Sequence, residues 1–430
     1  MTADKSIYEP LWSLRPGVCY LNHGSFGPSP RAVTANRQEW IERLESEPMD
    51  FFVRQMEGHL EHARHRLGDV VGTSGENLIF VDNATFGMNI VATSFPLTAG
   101  DEVLATNHEY GAVLRIWRER CQSMGARLVV QKLPETFAAA DEVVAALFDG
   151  ATARTKLIVV SHITSPTALT LPVAEICRQA KSRGIRVCID GPHAVAAVPV
   201  NLNQLDCDFY CVSCHKWLSA PFGSGFLYVQ PRWKRTVRPV VLSWGNSLSG
   251  RPHNWQDEFV WSGTRDPSPF LAVPAAIDFL AVLGGGVPEE PADTAEGLKP
   301  AAEGVWTSQC RNSLEGIHLF RSMSRLLVAQ ARRKITAVTG LEPIGSPEWY
   351  ATMVTLPLPD GVAETPHGHM HPVQAALWER FQIEAPVVNW NGRRHIRISC
   401  HLYNTLGDID RVAAALGEVL AEFGKRVGSR

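Results

Sequence analysis

Lys216 lies in the segment 213–217 (SCHKW), directly after a β-like run at 207–212. A Pro/Gly-rich turn at 221–225 and a second β-like run at 225–229 follow it. Where burial and neighbouring charges lower the pKa of a lysine, its free amine becomes available for Schiff-base chemistry. A lysine that only fills an interface is the alternative interpretation, and the rest of the chain has to decide between them.

Two other strand ends carry residues of matching chemistry. Asp190 ends a β-like run at 185–189 and is followed by Gly-Pro-His193, while Asn83-Ala84-Thr85 lies between a strand and a helix. A carboxylate can keep a ring nitrogen protonated, and the resulting pyridinium is the electron sink that pyridoxal phosphate (PLP) chemistry requires. Free N–H groups and a hydroxyl at a helix N-terminus suit a phosphate. Each feature alone fits a turn residue or an N-cap equally well, but together and in this order they favour a cofactor site.

The elements that must position these residues alternate between strand and helix. Short aliphatic runs predict strands at 78–81, 102–106, 128–130, 156–160 and 185–189, with helices at 85–95, 111–124, 139–148 and 172–183 between them. Helices that end near glycines and strands rich in β-branched residues indicate βαβ crossovers and a mainly parallel sheet with helices on both faces. Ligands of such sheets bind beyond the carboxyl ends of the strands, which is where the residues above fall.

Four regions are predicted along the chain. Residues 1–28 form an irregular segment at the site mouth, and residues 29–283 form the large α/β domain, which includes a helix over 51–71. Residues 284–305 are a Gly/Pro/Glu/Ala-rich linker or insertion. Residues 306–430 form a smaller α+β domain, for which we expect helices near 311–333 and 408–423 and strands near 351–356 and 393–399.

Composition narrows the function classes. The 430 residues are 45% hydrophobic and 20% charged, with a net charge of −3 and a pI of about 6.6. There is no basic excess for nucleic acid or an anionic membrane, no apolar run near the ~20 residues that span a bilayer, and no secretory signal pattern. We therefore expect a cytoplasmic protein. The nine cysteines and fifteen histidines show no metal-ligand spacing, so we predict buried thiols and no metal site.

Several motifs resemble one family, the fold-type I, class V pyridoxal phosphate enzymes, and within it the isopenicillin N epimerase-like subgroup. The resemblance covers nearly the whole chain. The residues that carry it are 21–28 (LNHGSFGP), 47–52 (EPMDFF), 108–111 (HEYG), 161–167 (SHITSPT), 190–194 (DGPHA), 214–217 (CHKW), 263–266 (GTRD) and 397–404 (RISCHLYN).

The resemblance implies a role for each matching residue. Lys216 would carry the cofactor as an aldimine, Asp190 would pair with its ring nitrogen, and His108 would stack on the ring. The other implied contacts are His193 and Ser165 near the phenolate oxygen, Ala84, Thr85, Ser213 and His215 at the phosphate, and Thr264 reaching that phosphate from the second subunit of a homodimer with shared sites. Arg397 would clamp the substrate carboxylate, a bidentate task that suits a guanidinium, although a solvated strand edge is the alternative. Asn22 and His23 are further predicted to bind the substrate, and Tyr110 is predicted to be catalytic.

Departures from the family pattern bear on the reaction. Cysteine desulfurases of this class carry a nucleophilic cysteine on a loop before the carboxylate-binding arginine, and the stretch 387–395 has none. Cys400 follows Arg397 and is expected to be structural, so persulfide chemistry is disfavoured. His23 departs from the epimerase pattern and is more similar to relatives that cleave C–S bonds, and the 284–305 segment is longer than in the epimerases. Both departures disfavour the epimerase assignment.

The expected reaction begins at Cα of an amino acid bound as an external aldimine, with Lys216 as the base. Our first hypothesis is a C–S β-lyase that acts on a bulky S-substituted cysteine in specialised metabolism such as antibiotic biosynthesis. The alternatives are an epimerase, which needs a second acid such as Tyr110 or His23, decarboxylation or deamination of the same kind of substrate, aminotransfer, and a non-catalytic binding module of this fold. We expect Trp244, Trp255 and Trp261 to supply an aromatic pocket lining.

Overall fold

A computed structural model of the protein describes residues 6–283, 315–359 and 369–427. The strands are β1 Cys19–Tyr20, β2 Leu78–Val81, β3 Glu102–Thr106, β4 Arg127–Gln131, β5 Thr155–Ser161, β6 Arg186–Asp190, β7 Phe209–Ser213, β8 Gly225–Val229, β9 Met353–Pro357, β10 Ile383–Glu384, β11 Val387–Trp390 and β12 Arg393–Ser399. The helices are α1 Arg31–Ser46, α2 Pro48–Asp50, α3 Met56–Val71, α4 Ala84–Ser94, α5 Gly111–Ser123, α6 Ala140–Asp149, α7 Val173–Ser182, α8 Leu202–Leu205, α9 Asp257–Val260, α10 Ser268–Leu271, α11 Val273–Val282, α12 Glu315–Thr339, α13 Pro372–Phe381 and α14 Leu406–Val427.

A seven-stranded sheet in the order β2-β8-β7-β6-β5-β3-β4 forms the centre of the molecule. The strands β7, β6, β5, β3 and β4 are parallel to one another, and β8 is antiparallel to both β7 and β2. Successive strand residues such as Val103 and Leu104, or Val159 and Val160, enter two different buried clusters, one on each face of the sheet. The predicted α/β fold with a mainly parallel, doubly covered sheet is confirmed.

The antiparallel strand β8 has a local cause. A parallel connection needs a crossover of roughly a dozen residues or more, usually with a helix, whereas residues 214–224 contain none and return the chain directly. Because β2 is antiparallel to β8, it runs in the same direction as β7. The ends of β2, β3, β5, β6 and β7 therefore lie at one edge of the sheet, and the sequence switches sides there between β3 and β5.

The C-terminal part builds a second, smaller sheet in the order β11-β12-β9. β11 and β12 form a hairpin in which Trp390 pairs with Arg393, and Asn391 and Gly392 between them have φ of 50° and 76°. Positive φ at both central residues is the geometry of a tight hairpin turn. The N-terminal segment joins this part, because β1 pairs with β10 and Asn22 bridges to Ser399.

Local differences from the sequence-based expectations are few. The helix expected over 51–71 is divided, with α2 and a π-helical segment, Phe51–Gln55, before α3. Strand β11 was not predicted. The expected linker at 284–305 lies outside the described residues, so the division into domains stays a prediction. None of the helices within the three described ranges is long and apolar enough to cross a membrane.

Candidate active site

Lys216 and Asp190 meet at the carboxyl edge of the large sheet, because Asp190 ends β6 and Lys216 follows the end of β7. The Lys216 Nζ lies 3.0 Å from Nε2 of His193, a residue that is 1% exposed. Asp190 is 5% exposed, and its carboxyl has no hydrogen-bond or ion-pair partner among the residues that the structure describes. A buried carboxyl in this state needs a donor, and a protonated ring nitrogen would supply one.

The electrostatics of this pair favour an available amine. Burial, and then the charge of Arg397, lower the pKa of Lys216 to about 7. The charge of Asp190 partly offsets these two effects, because it raises the same pKa. Burial raises the pKa of Asp190, and Lys216 opposes that rise. Burial first, then Lys216 and Arg397, hold the pKa of His193 well below its usual range. His193 is therefore neutral, and Lys216 has a substantial free-amine fraction near neutral pH.

The N-terminus of α4 and the end of β7 form a cradle. The Ser213 Oγ accepts from the Ala84 N–H at 3.0 Å, and the Asn83 Oδ1 accepts from the Phe86 N–H at 3.0 Å. Thr85 between these contacts is exposed. The buried Nδ1 of His215 has no partner within the described part of the chain. A helix N-terminus with a free hydroxyl and an unused imidazole nitrogen is a suitable seat for a phosphate.

His108 follows the end of β3 and faces the same edge. Its Nδ1 bonds to Thr167 Oγ1 at 2.8 Å, and its Nε2 is buried without a partner in the described ranges. Burial lowers the pKa of His108 to about 4, so the ring is neutral. The Trp390 ring packs against it with the centroids 4.5 Å apart, and the Trp390 Nε1 donates to Asn107 O at 3.0 Å. The hairpin of the small sheet thus fixes His108 from one side.

Arg397 on β12 is 4% exposed and lies beside the loop after β5. Its Nη1 donates to Ser165 O at 2.8 Å and to Ser165 Oγ at 3.3 Å, and its Nη2 donates to Ser25 Oγ. Its Nε has no partner, and none of the described carboxylates pairs with it. Burial lowers the pKa of Arg397 to about 10, which Tyr110 opposes. A buried guanidinium without a counter-ion is a seat for an anion.

His23 supports Lys216 from behind. Its Nε2 bonds to the Lys216 backbone O at 3.0 Å and its Nδ1 to the Tyr403 OH at 2.9 Å, and it is fully buried. Burial lowers its pKa to about 3. Only glycine fits at position 27, because a Cβ there would lie 2.5 Å from the His215 backbone O and 2.6 Å from the His23 Nε2. Both ring nitrogens of His23 are occupied, so the geometry supports a positioning role rather than contact with substrate.

The remaining predicted residues lie at the periphery. Tyr110 is half exposed at the N-terminus of α5, on the side of Arg397. Asn22 is buried, and its Oδ1 has no partner in the described structure. Thr264 is exposed, and the next residue, Arg265, pairs with Asp82 at 2.6 Å, one residue before the cap of α4. All three roles stay predictions.

Aromatic residues were predicted less well than the strand ends. Trp255 donates to the Glu76 backbone O at 3.0 Å, so it lies near the amino end of β2, away from the site edge. Trp261 packs against Phe52 at 5.4 Å. The aromatic residue beside the site is Trp390, and the Asn-Gly pair that follows it was the sequence signal that would have found its hairpin.

Comparisons with known proteins agree with this geometry. The family model described as "Aminotransferase class-V" matches residues 20–286. The chain belongs to the class-V aminotransferase family. The predicted family and the prediction of an enzyme are thereby confirmed.

Two curated relatives of this class-V chain differ in activity. It is 34% identical to "Isopenicillin N epimerase" of Amycolatopsis lactamdurans over 424 residues, which cover 95% of the chain and 96% of the relative. It is 28% identical to "Putative L-cysteine desulfhydrase 1" of Oryza sativa subsp. japonica, over 94% of the chain and 84% of the relative. The relatives therefore leave the reaction open.

Solved structures of C-DES share the fold. One, a variant with glycine covalently linked to its PLP cofactor, superposes with a TM-score of 0.72 at 19% identity and covers 94% of this chain and 97% of its own. Another, described as the cystine C–S lyase C-DES with its product cysteine persulfide, gives a TM-score of 0.71 at 20% identity and covers 94% and 98%.

Proposed function

We propose that this class-V chain is a pyridoxal phosphate-dependent lyase that cleaves the C–S bond of an S-substituted cysteine. The observation that carries the proposal is the set of three groups at this site: an amine of lowered pKa at Lys216, a buried Asp190 carboxyl without a partner among the described residues, and a buried Arg397 guanidinium without a counter-ion among them. Together these three groups would bind the cofactor with its amino-acid substrate: Lys216 near the amino group, Asp190 at the cofactor ring and Arg397 at the substrate carboxylate. The cofactor predicted from the sequence is supported by the family match, and the C-DES structure of the same fold is described with a PLP cofactor.

The described residues fit that cofactor. The unpaired Asp190 carboxyl suits the ring nitrogen, and the neutral His108 suits the ring face. The unpaired His193 Nδ1 and His215 Nδ1 suit a phenolate and a phosphate oxygen. When bound, the cofactor supplies the electron sink that makes the Cα proton acidic.

In the proposed reaction, Arg397 holds the substrate carboxylate and Lys216 Nζ takes the proton from Cα. The Cβ–S bond then breaks and the electron pair leaves on sulfur as a thiolate, which needs no second base. Hydrolysis of the released three-carbon product gives pyruvate and ammonia. The occupied nitrogens of His23 support this one-base route, because that histidine has no free site for a second proton transfer.

Direct elimination is also supported by the thiol inventory. The eight cysteines in the described ranges are all buried, and none lies between Val387 and Arg397. Burial raises the pKa of Cys400 above its usual range. Because a persulfide-forming nucleophile has to be an accessible thiolate, attack by an enzyme thiol on the substrate sulfur is disfavoured.

An epimerase is the second candidate, favoured by the 34% identity to isopenicillin N epimerase over nearly the whole chain. It requires an acid on the face of Cα opposite Lys216. Tyr110, half exposed and close enough to Arg397 to influence its pKa, is the residue for that role.

One experiment separates these reactions. The purified, cofactor-loaded protein and Lys216→Ala are mixed with S-ethyl-L-cysteine in heavy water, and pyruvate, ethanethiol and Cα deuterium are measured. Equal release of pyruvate and thiol by the parent only is the result we expect. Deuterium incorporation with racemisation and no pyruvate, lost in Tyr110→Phe, would instead identify the epimerase.

We also propose that two chains form a dimer with shared sites, in which Thr264 of one chain approaches the phosphate cradle of the other. The exposure of Thr264 and Thr85 and of two large apolar side chains, Leu242 (78%) and Trp244 (76%), supports a covering partner. Light scattering gives the mass, and mixing Thr264→Ala with Lys216→Ala chains tests sharing. A single chain mass with full cofactor retention would contradict it.

A further inference from the structure

A second buried carboxyl lies close to Asp190, and the reaction above makes no use of it. Glu109 follows His108 directly and is 4% exposed. Its Oε1 accepts from the Thr106 hydroxyl at 2.6 Å and its Oε2 accepts from the Ser161 hydroxyl at 2.5 Å. Thr106 ends β3 and Ser161 ends β5, so this carboxyl is anchored to two strand ends on either side of the topological switch point.

One of the two residues that donate to the Glu109 carboxyl also lies beside Asp190. Ser161 is the register partner of Asp190 across β5 and β6. Burial raises the pKa of Glu109 to about 7, the two hydroxyl bonds oppose that rise, and the charge of Asp190 adds to it. The two hydroxyl bonds favour the ionised form and burial disfavours it, so Glu109 is divided between its ionised and protonated forms near neutral pH.

The charged groups around Glu109 indicate a role for its carboxylate. Among the described residues, the cations facing this edge are Lys216 after β7 and Arg397 on β12. The histidines around it, His108, His162 and His193, are neutral because burial lowers their pKa. Substrate and cofactor add a further positive charge at a ring nitrogen beside Asp190. Because the substrate carboxylate would neutralise Arg397, the two carboxylates, Asp190 and Glu109, would together face the ring nitrogen and the Lys216 nitrogen.

We propose that Glu109 is a positioning residue whose carboxylate reinforces the negative charge of Asp190 and so strengthens its hold on a protonated ring nitrogen. This inference rests on the proposed cofactor. It differs from a purely structural role, in which Glu109 would only tie the loop of His108 to the strand ends and its charge would not matter.

The test compares four proteins: the parent, Glu109→Gln, Glu109→Asp and Glu102→Gln. Glu102 is the matched control, because it is a buried glutamate (1% exposed) at the opposite end of β3, where it binds Arg127 at 2.7 Å and Arg154 at 3.0 Å. For each protein we would record the visible absorbance of the loaded form against pH, the affinity of the apo form for pyridoxal phosphate, and the thermal midpoint.

In Glu109→Gln the loss of a negative charge disfavours the proton held at the Lys216 nitrogen, so we expect the pH midpoint of the band at about 420 nm to fall by roughly 0.5 to 1 pH unit. Cofactor affinity should fall about tenfold. Glu109→Asp keeps the charge and should keep the midpoint, and Glu102→Gln should change neither property. A folded Glu109→Gln with the parent's midpoint and affinity overturns the proposal.

If Glu109→Gln does not fold, the variant Ser161→Ala still tests the proposal. Ser161→Ala removes one donor from the Glu109 carboxylate, so its midpoint must move in the same direction, and an unchanged midpoint overturns the proposal. The parent spectrum distinguishes a failure of the proposed cofactor chemistry from a failure of the role of Glu109 alone. Absence of the band from the loaded parent would refute the proposed cofactor chemistry, and the role of Glu109 with it, whereas a normal parent band with unaltered variants refutes only the role of Glu109.

Discussion

Replacing Arg397 tests the carboxylate seat most directly, because the structure shows how many of its donors are free. A guanidinium has five N–H groups. Two point from Nη1 to Ser165 and one from Nη2 to Ser25, which leaves the Nε hydrogen and one on Nη2. These two hydrogens are on neighbouring nitrogens of the guanidinium, so together they can bind the two oxygens of a carboxylate.

The magnitude follows from those two bonds. A hydrogen bond to a charged group contributes about 1.5–3 kcal/mol, so losing two in Arg397→Met should remove about 3–6 kcal/mol of binding in the transition state. That corresponds to a fall in kcat/KM of roughly 10²- to 10⁴-fold. Arg397→Lys keeps the charge and loses the fork, so we expect a fall of only about 10-fold to 100-fold.

The assay pairs two substrates that differ only in the carboxylate. Pyruvate release from S-ethyl-L-cysteine and spectral titration with S-ethylcysteamine, which lacks the carboxylate, are measured for the parent and both Arg397 variants. We expect the variants to lose affinity for the amino acid and to bind the amine as the parent does. Equal losses for both compounds would mean that Arg397 shapes the site instead of binding a carboxylate, and no loss for the amino acid would refute the seat altogether.

Although Arg397→Met should lower activity, we expect it to leave the thermal stability unchanged or to raise it. Arg397 is desolvated, its pKa is lowered to about 10, and no described carboxylate compensates it. Replacing such a charge by an apolar side chain of similar volume is often neutral or stabilising. The apo form of Arg397→Met should therefore unfold at the parent's temperature or above it. A clearly lower thermal midpoint would show that the three bonds to Ser165 and Ser25 outweigh the desolvation.

Three further predictions concern the surroundings of the site. Because the pKa of Lys216 is lowered to about 7, the rate at which the apo protein captures pyridoxal phosphate should rise as the pH rises through about 7, and a rise centred near 10 in stopped-flow absorbance would contradict this. His23→Phe should cost about 1–3 kcal/mol of unfolding free energy, measured in denaturant, yet leave the pH dependence of kcat unchanged, because its pKa of about 3 keeps His23 neutral in the working range. Gly27→Ala should fold poorly, since its Cβ would lie 2.5 Å from the His215 backbone O, while Gly58→Ala inside α3, with no atom within 4 Å of the added methyl, should stabilise by about 0.5–1 kcal/mol in the same thermal assay.

The residues at the strand ends were accessible from sequence because one topological rule gathers them. Asp190 and Lys216 each follow a recognisable β-like run, and parallel strands bring their carboxyl ends to one edge. The rule needs only the order of strands and helices. The rule held even though the antiparallel strand β8 was not predicted. Because β8 is antiparallel to both β7 and β2, β2 runs in the same direction as β7, and Asn83-Ala84-Thr85 at its end lies at the same edge.

Contacts between distant segments could not be predicted in this way. The partners of His23 are the backbone of Lys216 and the hydroxyl of Tyr403, which are 193 and 380 positions away. Nothing in a single local pattern fixes such pairs, because they depend on how the C-terminal sheet packs against the large one. Trp390 was missed for a related reason: its strand has only four residues, so the hairpin was visible only through Asn391-Gly392.

The mutual influence of Lys216 and Asp190 bears on how the site is assembled. Burial alone would make an ammonium and a carboxylate at this edge expensive, but it also lowers the pKa of Lys216 and raises that of Asp190, so both groups discharge near neutral pH. The apo protein therefore avoids most of the free-energy cost of two desolvated charges. We accordingly expect the chain to fold before it takes up its cofactor, with Asp190 becoming a full carboxylate only when a ring cation lies beside it.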